Sequence, residues 1–356
     1  MADIEFKYLN AELYRHPGER VARARLEKIP GFKKALAALG DNYGNSAERQ
    51  AEIASMARVG PGVYPVLADM WNDIQRQFGL NGIPLHIGWD MPRPCALNGG
   101  NENPAVILDS RMLDMLPERE MGALLAMQAG SVRLGNATFL AACDFSRWFL
   151  DFYGIAGAPA ALPAWGLENW RRAAMFSADR AAALCEGDPE ATAALLGRFA
   201  GAGEKGWGGI ARPDDLRTQG IEALSLQGDW SNSRMRRFAL AMNRQNNVAL
   251  IRRADLLDWF STGAPARILS GEMTEPEGVK ADPSCASSAC GAEKDPSLAY
   301  WGEFAGEGSS DSGGGMGQDI GAALGDLRTM AEKGVNSFFK AGEAFWTTLM
   351  EENKKK

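Results

Sequence analysis

Apolar residues recur mostly at helical spacing in the first part of the chain. Two short helices are expected within residues 11–40, with a break at Pro30, because proline disrupts a helix interior. A third helix is expected over residues 46–57. A fourth is expected over residues 63–78, where apolar residues return every three or four positions. The pattern therefore predicts a helical N-terminal region.

Two short apolar runs interrupt this helical pattern. PLHIGW at 84–89 and AVILD at 105–109 have the composition of strands. The segment between them is rich in turn-forming residues, so a small hairpin or an edge-strand pair is expected. From residue 118 to about 261 the pattern is again helical, including a long amphipathic stretch over 165–185. The pattern favours an α+β fold that is predominantly α-helical.

The composition changes after residue 270. Residues 271–317 are rich in Gly, Ser, Pro and acidic residues, which predicts a flexible linker. Within residues 318–356, apolar residues recur at helical intervals and predict an amphipathic tail helix. Its apolar face could pack on its own domain, on a second copy in a homo-oligomer, on a partner protein or on a membrane surface. The few basic residues argue against the membrane. The chain thus divides into a domain at 1–270, a linker and a tail.

Composition and charge exclude several classes of protein. The chain has 356 residues, of which 46 % are hydrophobic and 23 % are charged, as in ordinary globular proteins. A net charge of −7 argues against a nucleic-acid partner, since such affinity comes from clustered Lys and Arg. No apolar run reaches the roughly 20 residues that span a bilayer, and the first residues do not form a secretory signal. A cytoplasmic protein without a transmembrane segment is expected.

The five cysteines fall into two groups. Cys95, Cys143 and Cys185 lie far apart in apolar or helical sequence and are expected to be buried thiols. Cys285 and Cys290 are separated by four residues in the linker. They could form a redox pair or half of a metal site, but they lack the C-x-x-C spacing and a second half.

Several short motifs occur in a specific order between about residues 14 and 260. They are YRHPGERVARARLEKIPGFKKAL, VGPGVYPVL, CALNGG, AVILDSRMLDMLPEREMGALLA leading into LLAMQAGSVRLGN, and WRRAAMFSADRAAALC. In this order they resemble the HtpX-like, CAAX-prenyl-protease type of zinc metallopeptidases. The resemblance implies a zincin-like fold with a small β-sheet, and a zinc-dependent peptidase ancestry.

The resemblance also implies where the zinc site would lie. The family carries His-Glu-x-x-His on one helix and a glutamate ligand on a later helix. Matched onto this chain, those positions hold Met127, Gln128, Ser131 and Met175. A thioether is a poor zinc ligand and a serine hydroxyl is rarely one. The zinc site is therefore predicted to be lost, with no cofactor in its place.

The remaining catalytic groups of the family are also missing. Gln128 cannot act as a general base, and Asn247 lies where the family has a further histidine. Arg253 matches the arginine that follows. The chain contains only His16 and His86, which we interpret as structural residues rather than metal ligands.

Other residues of this region are candidates for binding. Asp179 lies one helical turn after Met175, and we expect it to pair with Arg180, Arg133 or a backbone donor. Aromatic residues near a Gly- and Pro-rich loop are core residues or anchors for an extended peptide: Trp148, Phe149, Tyr153 and Trp165. Asn98, in CALNGG, marks an edge that could capture a peptide by strand addition.

These observations lead to one main hypothesis and two alternatives. The main hypothesis is a catalytically inactive metallopeptidase-like protein that binds a protein or peptide partner through the former substrate groove, the tail helix, or both. The first alternative is an active zinc metalloendopeptidase with non-standard ligands. The second is a different hydrolase or a redox protein that uses Cys285 and Cys290, although no triad-like grouping supports it.

Overall fold

The computed structural model describes residues 9–29, 31–44, 47–153, 161–201, 216, 218–222 and 248–276. Side chains are described for these residues except 41–44, 47–48, 147–153 and 161–165. A short 3-10 helix at Ala11–Leu13 comes first. The helices that follow are α1 Pro17–Glu27, α2 Phe32–Gly44, α3 Ala47–Ala54, α4 Pro65–Gln77, α5 Arg111–Met115, α6 Glu118–Arg133, α7 Ala137–Tyr153, α8 Ala161–Glu186, α9 Glu190–Phe199, α10 Ala249–Ser261 and α11 Ala264–Leu269.

Four strands form one small mixed sheet. They are β1 Ala57–Arg58, β2 Leu85–Gly88, β3 Cys95–Asn98 and β4 Ala105–Asp109, in the spatial order β1-β2-β4-β3. β2 and β4 are parallel, and β1 and β3 are antiparallel to their neighbours. The predicted hairpin is wrong, because the turn-rich segment itself contributes β3. β3 reverses the chain, which allows β4 to run parallel to β2.

One face of the sheet builds the main core. Leu85, Ile87, Leu97, Val106 and Leu108 alternate along three strands and belong to one buried apolar cluster. That cluster also contains residues from helices α4, α6, α8, α9, α10 and α11. A second cluster, beneath α1 and α2, is formed with α7 and α8. Helix α8 contributes to both clusters, so it is the central helix of the described domain.

Helices α6 and α8 approach each other closely. A Cβ atom built at Gly130 of α6 would lie 2.3 Å from the Cβ atom of Ala181 of α8. Only glycine fits there. This contact fixes α6 against α8 at Gly130 and Ala181.

The fold agrees with the sequence in class and differs in detail. It is mostly helical with a small mixed sheet, as the α+β prediction stated. The third predicted helix ends early, at Ala54, since residues 57–58 pair with β2. Among the described helices, none combines the length and apolarity needed to cross a bilayer. The predicted tail at 318–356 and the linker beyond residue 276 lie outside the described residues.

Candidate functional site

Helix α6 carries three of the positions that the resemblance assigns to the zinc site. Met127 and Ser131 are buried, while Gln128 is half-buried. The Ser131 hydroxyl donates to the Met127 carbonyl at 2.9 Å, one turn back along the same helix. This is the usual way in which a serine within a helix satisfies its hydroxyl.

Helix α8 carries Met175 and Asp179, which lie one turn apart on one face. Met175 is half-buried and Asp179 is buried. A third helix, α10, supplies the group that contacts both of them. The Arg252 guanidinium donates from Nε to Asp179 Oδ2 at 2.8 Å and from Nη2 to Asp179 Oδ1 at 2.6 Å. Its Nη1 lies 3.7 Å from Met175 Sδ.

The pairing of Asp179 differs from the expectation. The expected partners were Arg180, Arg133 or a backbone donor, whereas the direct hydrogen bonds come from Arg252. Arg252 lies 73 residues further along the chain, so only the tertiary structure brings it into contact. Burial raises the pKa of Asp179, and the charge of Arg252 opposes that effect. The two-pronged pairing matches the geometry of an ionised carboxylate.

A second carboxylate, 10 % exposed, lies next to this pair. Asp255 of α10 is 3.2 Å from Arg180 Nη2 and 3.4 Å from His16 Nε2. Burial acts to raise the pKa of Asp255, but Arg180 and His16 hold it well below its usual range. The guanidinium of Arg180 also lies 4.8 Å from the centre of the Trp259 ring. Two ion pairs therefore join α8 to α10.

Arg252 and Asp255 were not predicted from the sequence to belong to this site. Both are charged residues within an otherwise apolar helical stretch, which could have indicated them. Charges that are buried in proteins are normally paired. The matched arginine, Arg253, does something different: its Nε donates to the Ala193 carbonyl of α9 at 3.2 Å.

The two histidines have separate local environments. His16 is fully buried and caps α1, with Nδ1 accepting from the Gly18 amide at 3.0 Å. Its own amide donates to Ser177 Oγ of α8 at 2.8 Å. This agrees with the structural role predicted for it. Since Nδ1 accepts a hydrogen bond, a proton on the ring lies on Nε2, which faces Asp255.

His86 lies in β2 and is buried, as expected for a strand residue. Within the described residues its Nδ1 has no hydrogen-bond partner. Burial lowers its pKa, and the nearby Arg58 and Arg49 lower it further. In the described part of the chain, no three His, Cys, Asp or Glu side chains gather closely enough to hold a metal ion.

Asn98 is committed to the fold rather than to an open cleft. Its Oδ1 accepts from Arg49 Nε at 2.7 Å, and Arg49 Nη2 also donates to the Asn98 and Asn103 carbonyls at 3.2 and 2.7 Å. Gly99, at φ +98°, lets this loop wrap closely around the guanidinium. CALNGG thus anchors β3 to α3 through Arg49.

β3 is the last strand of the described sheet on this side, so half of its backbone groups face away from β4. The Asp109 amide of β4 donates to the Pro94 carbonyl at 3.0 Å, so Pro94 and Asp109 form a hydrogen-bonded pair of this antiparallel ladder. Hydrogen-bonded and non-hydrogen-bonded residue pairs alternate along an antiparallel pair of strands, so the N–H and C=O groups of Ala96 point toward β4. The N–H and C=O groups of Cys95 and Leu97 point away from β4, along the outer edge of the sheet.

Several predicted site residues cannot be placed. The side chains of Trp148, Phe149, Tyr153 and Trp165 lie outside the described residues, although their backbones belong to α7 and α8. Asn247, Cys285 and Cys290 also lie outside them. The three other cysteines, at positions 95, 143 and 185, are buried free thiols, as predicted.

Comparison with known proteins gives a distant similarity to a metallopeptidase. No family model matches it, and no solved structure matches it. It is 24 % identical over 208 residues to the plastoglobule-localized metallopeptidase 48, a chloroplastic protein of Arabidopsis thaliana. The similarity covers 55 % of this chain and 58 % of that protein, so this chain spans under two thirds of its relative.

This distant and partial similarity agrees with a metallopeptidase-like family. The zincin-like fold and the cytoplasmic location stay predictions. The relative's own name gives it a plastoglobule location in the chloroplast.

Proposed function

We propose that the chain is a catalytically inactive metallopeptidase-like protein that binds a protein or peptide partner. The observation that carries this proposal is the position of Arg252. Its guanidinium lies against Met175, where the resemblance places the third zinc ligand, and forms a two-pronged ion pair with Asp179. A fixed positive charge at this point opposes the binding of a divalent cation.

The residues at the matched positions do not fit zinc. They offer two thioethers, an amide and a hydroxyl, whereas zinc sites use imidazole, thiolate and carboxylate groups. The Ser131 hydroxyl already donates within its own helix, and the Met175 sulfur lies against Arg252. The carboxylate one turn from Met175, Asp179, has both oxygens bonded to the same guanidinium. No hydrolytic step through zinc follows from this set.

Metal analysis tests the loss of catalysis directly. We expect the purified protein to retain far less than one zinc per chain after dialysis, and to show no chelator-sensitive cleavage of unstructured casein. Stoichiometric zinc together with chelator-sensitive cleavage would contradict the proposal and favour the alternative, an active zinc metalloendopeptidase with non-standard ligands.

A restored variant provides the positive control. It carries Met127→His, Gln128→Glu, Ser131→His and Met175→Glu, together with Arg252→Leu and Asp179→Asn so that no unpaired charge stays buried. We expect this variant to gain zinc if the matched positions converge on one point. A folded variant that takes up no zinc would show that the matching of these positions is wrong.

The outer edge of β3 is the proposed binding surface. Cys95 and Leu97 offer backbone donors and acceptors along it, so an extended peptide could add as a further antiparallel or parallel strand. Their side chains are buried in the core, which holds the edge rigid. The aromatic residues at 148, 149, 153 and 165 are proposed anchors for peptide side chains, and the tail helix at 318–356 is a second proposed contact, either with a partner or with another copy.

Amide exchange can distinguish strand addition from other modes of binding. An array of unstructured synthetic peptides would first select a binder. We expect that peptide to slow hydrogen exchange at the amides of Cys95 and Leu97 and to leave Ala96 and Ile107 unchanged, since those two already face each other within the sheet. Tight binding without slower amide exchange at positions 95 and 97 would show that the peptide binds elsewhere.

A further inference from the structure

The His86 ring has an environment that its place in a strand does not explain. His86 lies between Leu85 and Ile87, whose side chains belong to the main core, so its own side chain points to the opposite face of the sheet. The residue is 5 % exposed, and its Nδ1 has no hydrogen-bond partner among the described residues. A buried polar atom without a partner costs free energy and is uncommon in folded proteins. The imidazole is therefore a candidate ligand-binding group.

Arg58 of β1 is the cross-strand neighbour of His86. The Val59 amide donates to the Leu85 carbonyl at 2.9 Å, so these two residues form a hydrogen-bonded pair of the antiparallel ladder. Hydrogen-bonded and non-hydrogen-bonded pairs alternate, so Arg58 and His86 form a non-hydrogen-bonded pair. The Cα atoms of such a pair are only about 4.5 Å apart, and the two side chains lie side by side on one face of the sheet. The Arg58 and His86 side chains therefore lie together on the face opposite the core.

The guanidinium of Arg58 is not used by the described fold. Arg58 is exposed, and within the described ranges its side chain forms no hydrogen bond and no ion pair. Other exposed arginines differ in this respect, since Arg76 pairs with Asp73 and Arg119 pairs with Asp188. Arg58 thus offers a planar fork of N–H donors next to a histidine that also lacks a partner.

Two positive charges act on the His86 ring. Burial lowers the pKa of His86, and the nearby Arg58 and Arg49 lower it further. Arg49 is held by the Asn98 side chain and the Asn103 carbonyl, so it adds charge to this face while its donors serve the fold. No carboxylate of the described residues offsets the effect of the two arginines on the ring. The local field therefore favours an anion and opposes a metal cation.

We propose that Arg58 and His86 together bind a phosphate group. The guanidinium donates to two phosphate oxygens, and the neutral imidazole donates one N–H to another. Either ring nitrogen of a neutral histidine can carry the proton, so the ring donates from the nitrogen that faces the ligand. Because Arg58 is exposed and β1 is the outer strand on this side of the described sheet, the ligand enters from the sheet edge. The site lies at the opposite end of the strand order from β3, so it does not depend on the proposed function.

A small phosphate compound fits this pair better than other anions do. A phosphate group has three acceptor oxygens or more, so a two-pronged contact with the guanidinium leaves an oxygen for the imidazole. A carboxylate in the same two-pronged contact uses both of its oxygens, as Asp179 does with Arg252. Nucleic acids and anionic membranes require clusters of exposed cations, and the chain has a net charge of −7.

NMR spectroscopy of the full chain tests this site, because the chain contains only two histidines. The ring signals of His86 are assigned by their loss in His86→Gln. They are then followed in the unmodified protein at neutral pH while inorganic phosphate replaces sodium chloride at constant ionic strength. We expect a saturable shift of the His86 signals and no shift of the His16 signals. A parallel titration with glycerol 2-phosphate shows whether the site prefers the free ion or a phosphate ester, and either preference supports the proposal.

Two matched variants separate this site from general effects of charge. Arg58→Gln removes the guanidinium at an exposed position, so the protein should stay folded. We expect it to weaken phosphate binding by about tenfold or more, as for the loss of hydrogen bonds to a charged group. Arg76→Gln makes the same change in net charge at a side chain that is 77 % exposed, and it should keep the wild-type affinity.

Four other outcomes each overturn the proposal. Absence of a saturable shift of the His86 signals would show that the pair binds no phosphate. Equal shifts of both histidines, or the same shift with chloride alone, would indicate a general effect of salt. Equal phosphate affinities of Arg58→Gln and the wild type would exclude the guanidinium from the site. Tighter binding of acetate than of phosphate would assign the pair to a carboxylate.

Discussion

Helix α8 forms two interfaces that are built on opposite principles. Toward α6 it packs through small apolar residues, with Ala181 filling the space that Gly130 leaves open. Toward α10 it uses buried ion pairs, Asp179 with Arg252 and Arg180 with Asp255. The first interface depends on shape and tolerates no added volume. The second depends on charge, so each member must keep its partner.

The largest expected effect comes from breaking the buried pair. Arg252→Met leaves the Asp179 carboxylate buried without its counter-charge, and we expect a loss of about 3–5 kcal/mol in the free energy of unfolding. Urea denaturation followed by circular dichroism measures it. The double change Arg252→Met with Asp179→Leu should recover most of that loss, since an apolar replacement of a buried pair is often neutral.

An exposed ion pair provides the matched control for that experiment. Arg119 Nη2 lies 2.9 Å from Asp188 Oδ2, with the two side chains 58 % and 40 % exposed. Arg119→Met should cost no more than about 1 kcal/mol. If Arg252→Met and Arg119→Met lowered the free energy of unfolding equally, burial of the Arg252–Asp179 pair would not contribute to its effect on stability.

The apolar interface should respond to volume alone. Gly130→Ala places a methyl group 2.3 Å from Ala181, so we expect a loss of about 1–3 kcal/mol in unfolding free energy. This would occur although alanine favours a helix over glycine by about 1 kcal/mol. Gly62→Ala, where no atom lies within 4 Å of the added carbon, should change stability by under about 0.5 kcal/mol. A more stable Gly130→Ala protein would refute the close contact.

Acid should affect the charged interface selectively, and this is the smallest expected effect. The pKa of Asp255 lies below its usual range in the folded state and near 3.9 in the unfolded state. Between those values the unfolded chain binds more protons, so the stabilisation is complete above about pH 4 and is lost as the pH falls toward the folded pKa. The free energy of unfolding of Asp255→Asn should therefore decrease less between about pH 4 and pH 2 than that of the wild type.

The exposed Asp69 supplies the reference for this measurement. Asp69→Asn should follow the wild-type pH curve, as measured by thermal unfolding across the same range. A wild-type slope in the Asp255→Asn variant would mean that another group carries the acid sensitivity.

The helices could be predicted because their signals are local. Apolar spacing and Pro30 located α1, α2 and α4 within a few residues, and a single amphipathic stretch located most of α8. The strand order could not be predicted in this way. β3 lies within a segment whose Pro, Gly and Asn content predicts turns, and its four residues form a strand only because β4 supplies the pairing.

The candidate site was only half predictable. The identities at positions 127, 128, 131 and 175 are a matter of sequence, as is the absence of any histidine pair. The partner of Asp179 was not predictable, because the choice among several arginines depends on how α10 packs across α8. Asn98 lies in a motif that was predicted to mark an edge, but its Oδ1 accepts from Arg49, 49 residues earlier, and that contact could not be predicted.

By itself the sequence determined which chemical groups the chain can offer: no paired imidazoles, and a thioether, Met175, at the position of the third zinc ligand. Only the tertiary structure decided which groups meet. It placed Arg252 between Met175 and Asp179, and it turned the backbone of Leu97 outward. The reason is physical: residue identity is local, whereas the pairing of buried charges and the phase of a strand are fixed by contacts between distant segments.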